Sequence, residues 1–137
     1  MRISQKLEYA CRATVCLAKH YDGNAVVKLE DLSQREDISP SFLVQILNEL
    51  KRAGVVSSKR GKAGGYVLSR PPAQIPLAEV VKAVEPGLLE VPAESPGASG
   101  PAVTQIWTDL SVAVSERLES VTLETIASKA ETPMYFI

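Results

Sequence analysis

Residues 39–70, SPSFLVQILNELKRAGVVSSKRGKAGGYVLSR, decide how the chain is read. Ser39 carries the short polar side chain favoured at a helix N-cap. Pro40 suits the first helical position, where the N–H it lacks would have had no partner. Phe42, Leu43, Ile46, Leu47, Leu50 and Ala53 then recur at helical spacing and form one apolar stripe. Gly54 is placed to close the helix in the left-handed conformation. Val55-Val56 and Tyr66-Val67-Leu68 are short β-rich runs, and the turn between them carries Lys59, Arg60 and Lys62. Between Lys51 and Arg70 stand six basic residues and no acidic one. A helix followed by a basic two-stranded hairpin is the reading half of a winged helix-turn-helix, whose partner is double-stranded DNA.

The flanking segments fit that unit. Residues 3–20 predict a helix with Ile3, Leu7, Ala10, Cys11, Val15 and Ala18 on one face, and Ser4 as its cap. Residues 27–37 predict the first helix of the helix-turn-helix, with 36–39 as the turn. Downstream, Pro76 to Val84 predicts a short helix. Residues 87–101, with three Pro, three Gly and two Ser, predict a mobile loop. Residues 102–120 predict a long helix whose stripe contains Val103, Ile106, Trp107, Leu110, Val114 and Leu118. Thr122 is placed to cap a last helix, followed by an apolar tail, Met134 to Ile137. The expected fold is mostly α with a small β-wing. Its expected division is a winged helix-turn-helix domain at 1–85, a flexible loop at 86–101, and a dimerisation helix with a C-terminal helix at 102–137.

Net charge is −1, which alone argues against nucleic acid, but its distribution argues the reverse. Residues 1–70 hold 12 Lys/Arg against 7 Asp/Glu, whereas residues 71–137 hold 3 against 9. A basic reading half beside an acidic second half suits a DNA-binding module with a separate dimer or sensor part. No signal peptide or membrane-length apolar run is visible, so a cytoplasmic protein without membrane contact is expected. Two cysteines and one histidine, His20, leave no metal-ligand cluster and no paired nucleophile and base. An enzyme is therefore not expected.

On the recognition helix, Ser39, Ser41, Gln45 and Asn48 present polar groups at the N-terminal end and along one flank. Gln can bond adenine through two hydrogen bonds. In the turn, Arg60 and Lys62 can neutralise phosphates or enter the minor groove. Gly61, Gly64 and Gly65 allow positive φ and close backbone approach.

The opening MRISQKLEYACRA, the segment 38–70 with its R-G-x-x-G-G-Y wing, the IPLAEVVKAVEP helix and the W-T-D-L-S run resemble the Rrf2 family of bacterial regulators. The resemblance covers nearly the whole chain. It implies a homodimer on a palindromic operator, with the long helix crossing its partner's. It further implies phosphate contacts from Arg2, Ser4, Lys6 and Tyr9, and a place in the major groove for Ser39, Ser41, Phe42 and Gln45. Lys59, Arg60, Lys62, Gly64 and Gly65 would meet DNA from the wing, with Arg60 in the minor groove. The family's cluster-binding regulator carries a glutamate where this chain has Val44, so its operator preference does not transfer.

Cluster-binding members place three cysteines between the short helix and the dimer helix. Residues 84–105 of this chain contain no cysteine and no histidine, so no iron–sulfur cofactor is expected. The effector is left as a small molecule or a protein. One alternative is control by docking to a partner enzyme, as for a cluster-free member of the family. Another is redox sensing. Cys11 and Cys16 stand about 140° apart and about 7.5 Å along the helix, which forbids a disulfide between them without breaking it. Cys11 falls on the apolar face and Cys16 nearer the polar side, so Cys16 is the thiol that redox sensing would use.

Overall fold

The computed structural model describes residues 1–93 and 95–131; Glu94 and the tail 132–137, with its apolar Met134 to Ile137, lie outside the described residues. Its elements in order are α1 (Gln5–Lys19), α2 (Leu29–Glu36), α3 (Pro40–Arg52), β1 (Val56–Lys59), β2 (Gly65–Leu68), a 3-10 turn (Pro72–Gln74), α4 (Leu77–Val84), α5 (Gly100–Ser120) and α6 (Leu123–Glu131). The fold is mostly helical with a two-stranded antiparallel wing.

The helix-turn-helix is closed by local chemistry. Asp37 adopts φ 54 and ψ 54, a left-handed conformation that Asp tolerates better than most residues. The Ile38 N–H donates to Ser33 O at 3.1 Å, and Ser33 Oγ donates back to Ile38 O. Pro40 opens α3 as expected. The Ser39 hydroxyl makes no capping bond, however, and its carbonyl accepts from Leu43 N at 2.9 Å instead. Gly54 ends the helix at φ +79.

Leu43, Ile46, Leu47 and Leu50 of α3 are buried against Leu7 and Leu17 of α1, Leu32 of α2 and Val80 and Val84 of α4. Burying side chains of this size stabilises by about 1.5–3 kcal/mol each. The far end of the chain returns to the same core. Leu77 N donates to Val121 O at 2.7 Å and Leu123 N to Ile75 O at 3.0 Å, which docks α6 on α1. Thr122 caps α6, its hydroxyl accepting from Thr125 N at 3.2 Å.

Wing and turn depart from the predicted bounds. The strands reach Lys59 and Gly65, pairing Val56 with Leu68 and Lys59 with Gly65, so the free turn is 60–64. α5 begins at Gly100 and takes Pro101 into its first turn. The 87–101 segment contains ordered contacts: Leu88 packs on the core, and the Ser111 hydroxyl donates to Leu89 O at 2.8 Å. No described helix is long and apolar enough to cross a membrane.

Candidate nucleic-acid interface

The wing is joined to the helix-turn-helix by backbone. Val27 N donates to Tyr66 O at 2.9 Å and Tyr66 N to Val27 O at 2.8 Å, a bridge that puts β2 beside the start of α2. Gly65 is required there, because a Cβ would stand 2.5 Å from Val27 O. Gly64 is required for the turn itself, because its Cβ would stand 2.2 Å from Lys59 O. Of the three wing glycines only Gly61 has positive φ, at +99; Gly64 and Gly65 serve close approach. Their spacing in the sequence is thus a folding requirement of the wing.

Around this joint Lys28, Lys59, Arg60 and Lys62 line a concavity of about 430 Å³, with Glu30 as its one acid. Arg60 and Lys62 are exposed and make no ion pair or hydrogen bond with any described residue. Lys59 reaches only Asn24 O, at 3.5 Å. Arg70, by contrast, is structural: it bonds Gln74 O at 3.0 Å and pairs with Glu79 of α4.

On α3, Ser41, Gln45 and Asn48 are exposed on the side opposite the buried leucines, and Ser39 is exposed before them. Phe42 is half-buried, its ring edge-on to Tyr9 at 5.4 Å between centroids. Tyr9 in turn carries the Arg12 guanidinium 4.7 Å over its ring and accepts from Gln5 Nε2 at 2.9 Å. Phe42 and Tyr9 therefore brace α3 against α1.

The N-terminal end of α1 is differently arranged. Ser4 caps the helix, accepting from Leu7 N at 3.1 Å, and donates its hydroxyl hydrogen to Glu85 Oε1 at 2.5 Å. Lys6 Nζ pairs with Glu49 Oε1 of α3 at 2.7 Å. Neither carboxylate was found by reading the sequence. Glu49 is the single acid of α3 and could have been suspected; Glu85 lies 81 residues from Ser4 and left no local signal. Arg2 is exposed beside them.

On α5, Val103, Ile106, Trp107 and Leu110 are exposed, Ile106 by 56% and Trp107 by 52%. Val114 and Leu118 are half-buried and turn towards their own chain, where they border an apolar groove of about 570 Å³ between α1, α4 and α5.

A family profile described as Rrf2, an iron-dependent transcriptional regulator, matches residues 3–129. The chain belongs to the Rrf2 family. It is similar to an HTH-type transcriptional regulator of Mycobacterium tuberculosis, 41% identical over 95% of this chain and 83% of that one. It is 33% identical to the HTH-type transcriptional regulator CymR of Bacillus subtilis, over the full length of both. The solved structure of that CymR, a global cysteine regulator, superposes with TM-score 0.82 at 34% identity, over 94% of this chain and 98% of that one. The structure of T. potens IscR superposes with TM-score 0.79 at 27% identity, over 98% and 94%. This Rrf2 chain is thus a winged-helix transcription regulator.

The iron in the family description does not suit the donors of this Rrf2 chain. Residues 84–105 contribute only carboxylates, and the described residues hold no group of three His, Cys, Asp or Glu placed to bind a metal. Carboxylates do not replace the thiolates that hold iron–sulfur clusters.

The expectation for the cysteines is reversed. Cys16 is 1% exposed, while Cys11 is half-buried beside the groove under α5. The reason is α2: its Glu36 bonds Cys16, so this helix packs on the side of α1 that single-helix periodicity assigns to solvent, and with α6 also against α1 the helix is buried all round from Ala13 to Ala18. Burial pushes both thiols up to about 11. Glu36 adds to the effect on Cys16, by charge and hydrogen bonding, and Glu8 to that on Cys11. A buried, protonated thiol is a poor nucleophile, so redox sensing through Cys16 is not supported. His20 is used structurally, with Nδ1 2.8 Å from Cys16 O and Nε2 2.6 Å from Arg35 Nη1.

Proposed function

We propose that this regulator is a cytoplasmic homodimer that represses transcription from a palindromic operator without an iron–sulfur cluster. The observation that carries the proposal is the wing: exposed Arg60 and Lys62 with no partner among the described residues, held by backbone bonds beside the start of α2, in a unit whose α3 exposes a polar face. Arg60, Lys62 and Lys59 neutralise phosphates on the flank of each half-site, with Arg60 directed to the minor groove. Gly64 and Gly65 hold the turn close enough to do so. Ser39, Ser41 and Gln45 face base edges in the major groove, while Phe42, seated on Tyr9, sets the depth of α3. Arg2, Ser4 and Lys6 add backbone contacts from α1. Phosphate contacts fix register and the α3 side chains supply sequence preference.

A second copy covers α5. Val103, Ile106, Trp107 and Leu110 make a contiguous exposed apolar patch of a kind that monomers seldom leave open. Val114 and Leu118 support it from beneath. A two-fold axis through that patch places two α3 helices on one face of DNA, about one turn apart.

Sedimentation equilibrium combined with nuclease footprinting tests this reading. The wild type is expected as a dimer protecting an inverted repeat with half-sites about one turn apart. Leu110→Asp is expected as a folded monomer with weakened protection. A wild-type monomer, or protection of a single half-site, would contradict it.

A further inference from the structure

The bond between Ser4 and Glu85 stands where the DNA-binding end of α1 meets the segment leading to α5. A serine hydroxyl has one hydrogen, and here it is given to Glu85 Oε1 at 2.5 Å while the oxygen accepts from Leu7 N. A phosphate reaching α1 needs that same hydrogen. It also meets the Glu85 carboxylate, a like charge, in the cleft of about 460 Å³ that Arg2, Ser4, Glu85, Gly87 and Leu88 line.

Glu85 is also the joint between α4 and the segment that follows. Its N–H donates to Val81 O at 2.8 Å as the end of α4, and its carbonyl accepts from Leu88 N at 3.1 Å, closing the next turn. Leu88 borders two apolar spaces against α5, one shared with Leu110 and Val114, the other also with Trp107. The 85–88 turn therefore touches α1 through Glu85 and α5 through Leu88.

The geometry points to Glu85 as the residue that sets operator affinity: in free protein its carboxylate holds Ser4 and fills the place of a DNA phosphate, and DNA must displace it. Displacement moves the 85–88 turn, and with it the packing of Leu88 against α5. DNA binding and the arrangement of the 85–88 turn are then linked reciprocally, and whatever shifts Leu88 changes DNA affinity by the same factor. This inference rests on the reading that α1 meets the DNA backbone.

The test uses the full-length dimer with Glu85→Gln, Glu85→Ala as a second variant, Glu90→Gln as a control carboxylate of the same segment, and Arg60→Ala. Operator affinity is read by fluorescence anisotropy of labelled DNA, and the α5 environment by the emission of Trp107, the single tryptophan. Removing a like charge a few ångströms from a phosphate in a partly wet site is expected to tighten binding about tenfold. Glu90→Gln is expected to stay within about twofold, because Glu90 does not line the cleft at Ser4 and does not hold the Ser4 hydroxyl. Wild-type Trp107 emission is expected to shift on operator binding, and free Glu85→Gln to show a fraction of that shift already. Unchanged or weaker binding by both Glu85 variants overturns the inference, as does equal tightening by Glu90→Gln or an unmoved Trp107. If Arg60→Ala weakens binding while the Glu85 variants do nothing, the inference alone fails. If no form binds DNA, the proposed function fails with it.

Discussion

The wing and the N-terminal end of α1 carry similar groups in opposite conditions. Arg60 and Lys62 stand in solvent with no partner among the described residues, whereas Ser4 and Lys6 are each held by a carboxylate, Glu85 and Glu49. A phosphate meeting the wing exchanges only water and counterions. A phosphate meeting α1 must first separate both of these existing pairs. The Lys6–Glu49 pair is partly exposed and worth about 0.2–1 kcal/mol, so it can be broken, but it subtracts from what the lysine contributes. On the proposed reading, the wing supplies affinity at all times and α1 supplies it conditionally.

The comparison breaks most severely at the joint between wing and α2. Gly65→Val would drive side-chain atoms into Val27 O and lift β2 from its bridge. Operator affinity is expected to fall roughly a hundredfold as the basic contacts of both half-sites are lost. The urea midpoint should fall by an amount equivalent to about 1–3 kcal/mol, as for other overpacked sites. Arg60→Ala removes one unpaired cation without moving the joint, and a loss of about tenfold in anisotropy titrations is expected, with unchanged stability. On α1 the effects should be smaller and of both signs. Lys6→Ala is expected to weaken binding roughly twofold to threefold, and Glu49→Gln, which releases Lys6, to tighten it by a similar factor.

The smallest effect concerns the thiols of α1. Both are held protonated in the folded chain, up to about 11, against 9.0 for an ordinary thiol. Their contribution to stability is intact below pH 9. It is lost as pH rises towards 11, because the unfolded chain releases protons that the folded chain keeps. Urea midpoints at pH 8 and pH 10.5 should show the decline, flattened in a variant with both cysteines changed to alanine. The same thiols should react slowly with iodoacetamide at pH 8.

Much of the fold was legible because its elements announce themselves locally. Pro40, the stripe from Leu43 to Leu50 and Gly54 state a helix with both ends, and the basic Gly-rich turn states the wing. The contacts that condition the candidate site were not legible, since they join residues far apart in sequence. Nothing near Ser4 indicates Glu85, and nothing near Lys6 indicates Glu49. Cys16 differs for another reason: periodicity assigns one buried face to a helix, and α2, whose Glu36 bonds Cys16, buries the second. The wing glycines are legible as a set for positive φ and close backbone approach, but not which serves which: Gly61 takes the positive φ, while Gly64 and Gly65 are demanded by close contacts with Lys59 and Val27.

The salt dependence of operator binding tests the account most directly, measured side by side for the wild type, Arg60→Ala and Lys6→Ala on one inverted repeat. Each unpaired cation lost from both half-sites should lower the slope of log affinity against log salt by roughly two, the counterions of two phosphates. Arg60→Ala is expected to show that full drop, and Lys6→Ala less than half of it, because its charge is already matched by Glu49. Equal slopes for wild type and Arg60→Ala, or a larger drop for Lys6→Ala, would contradict the account.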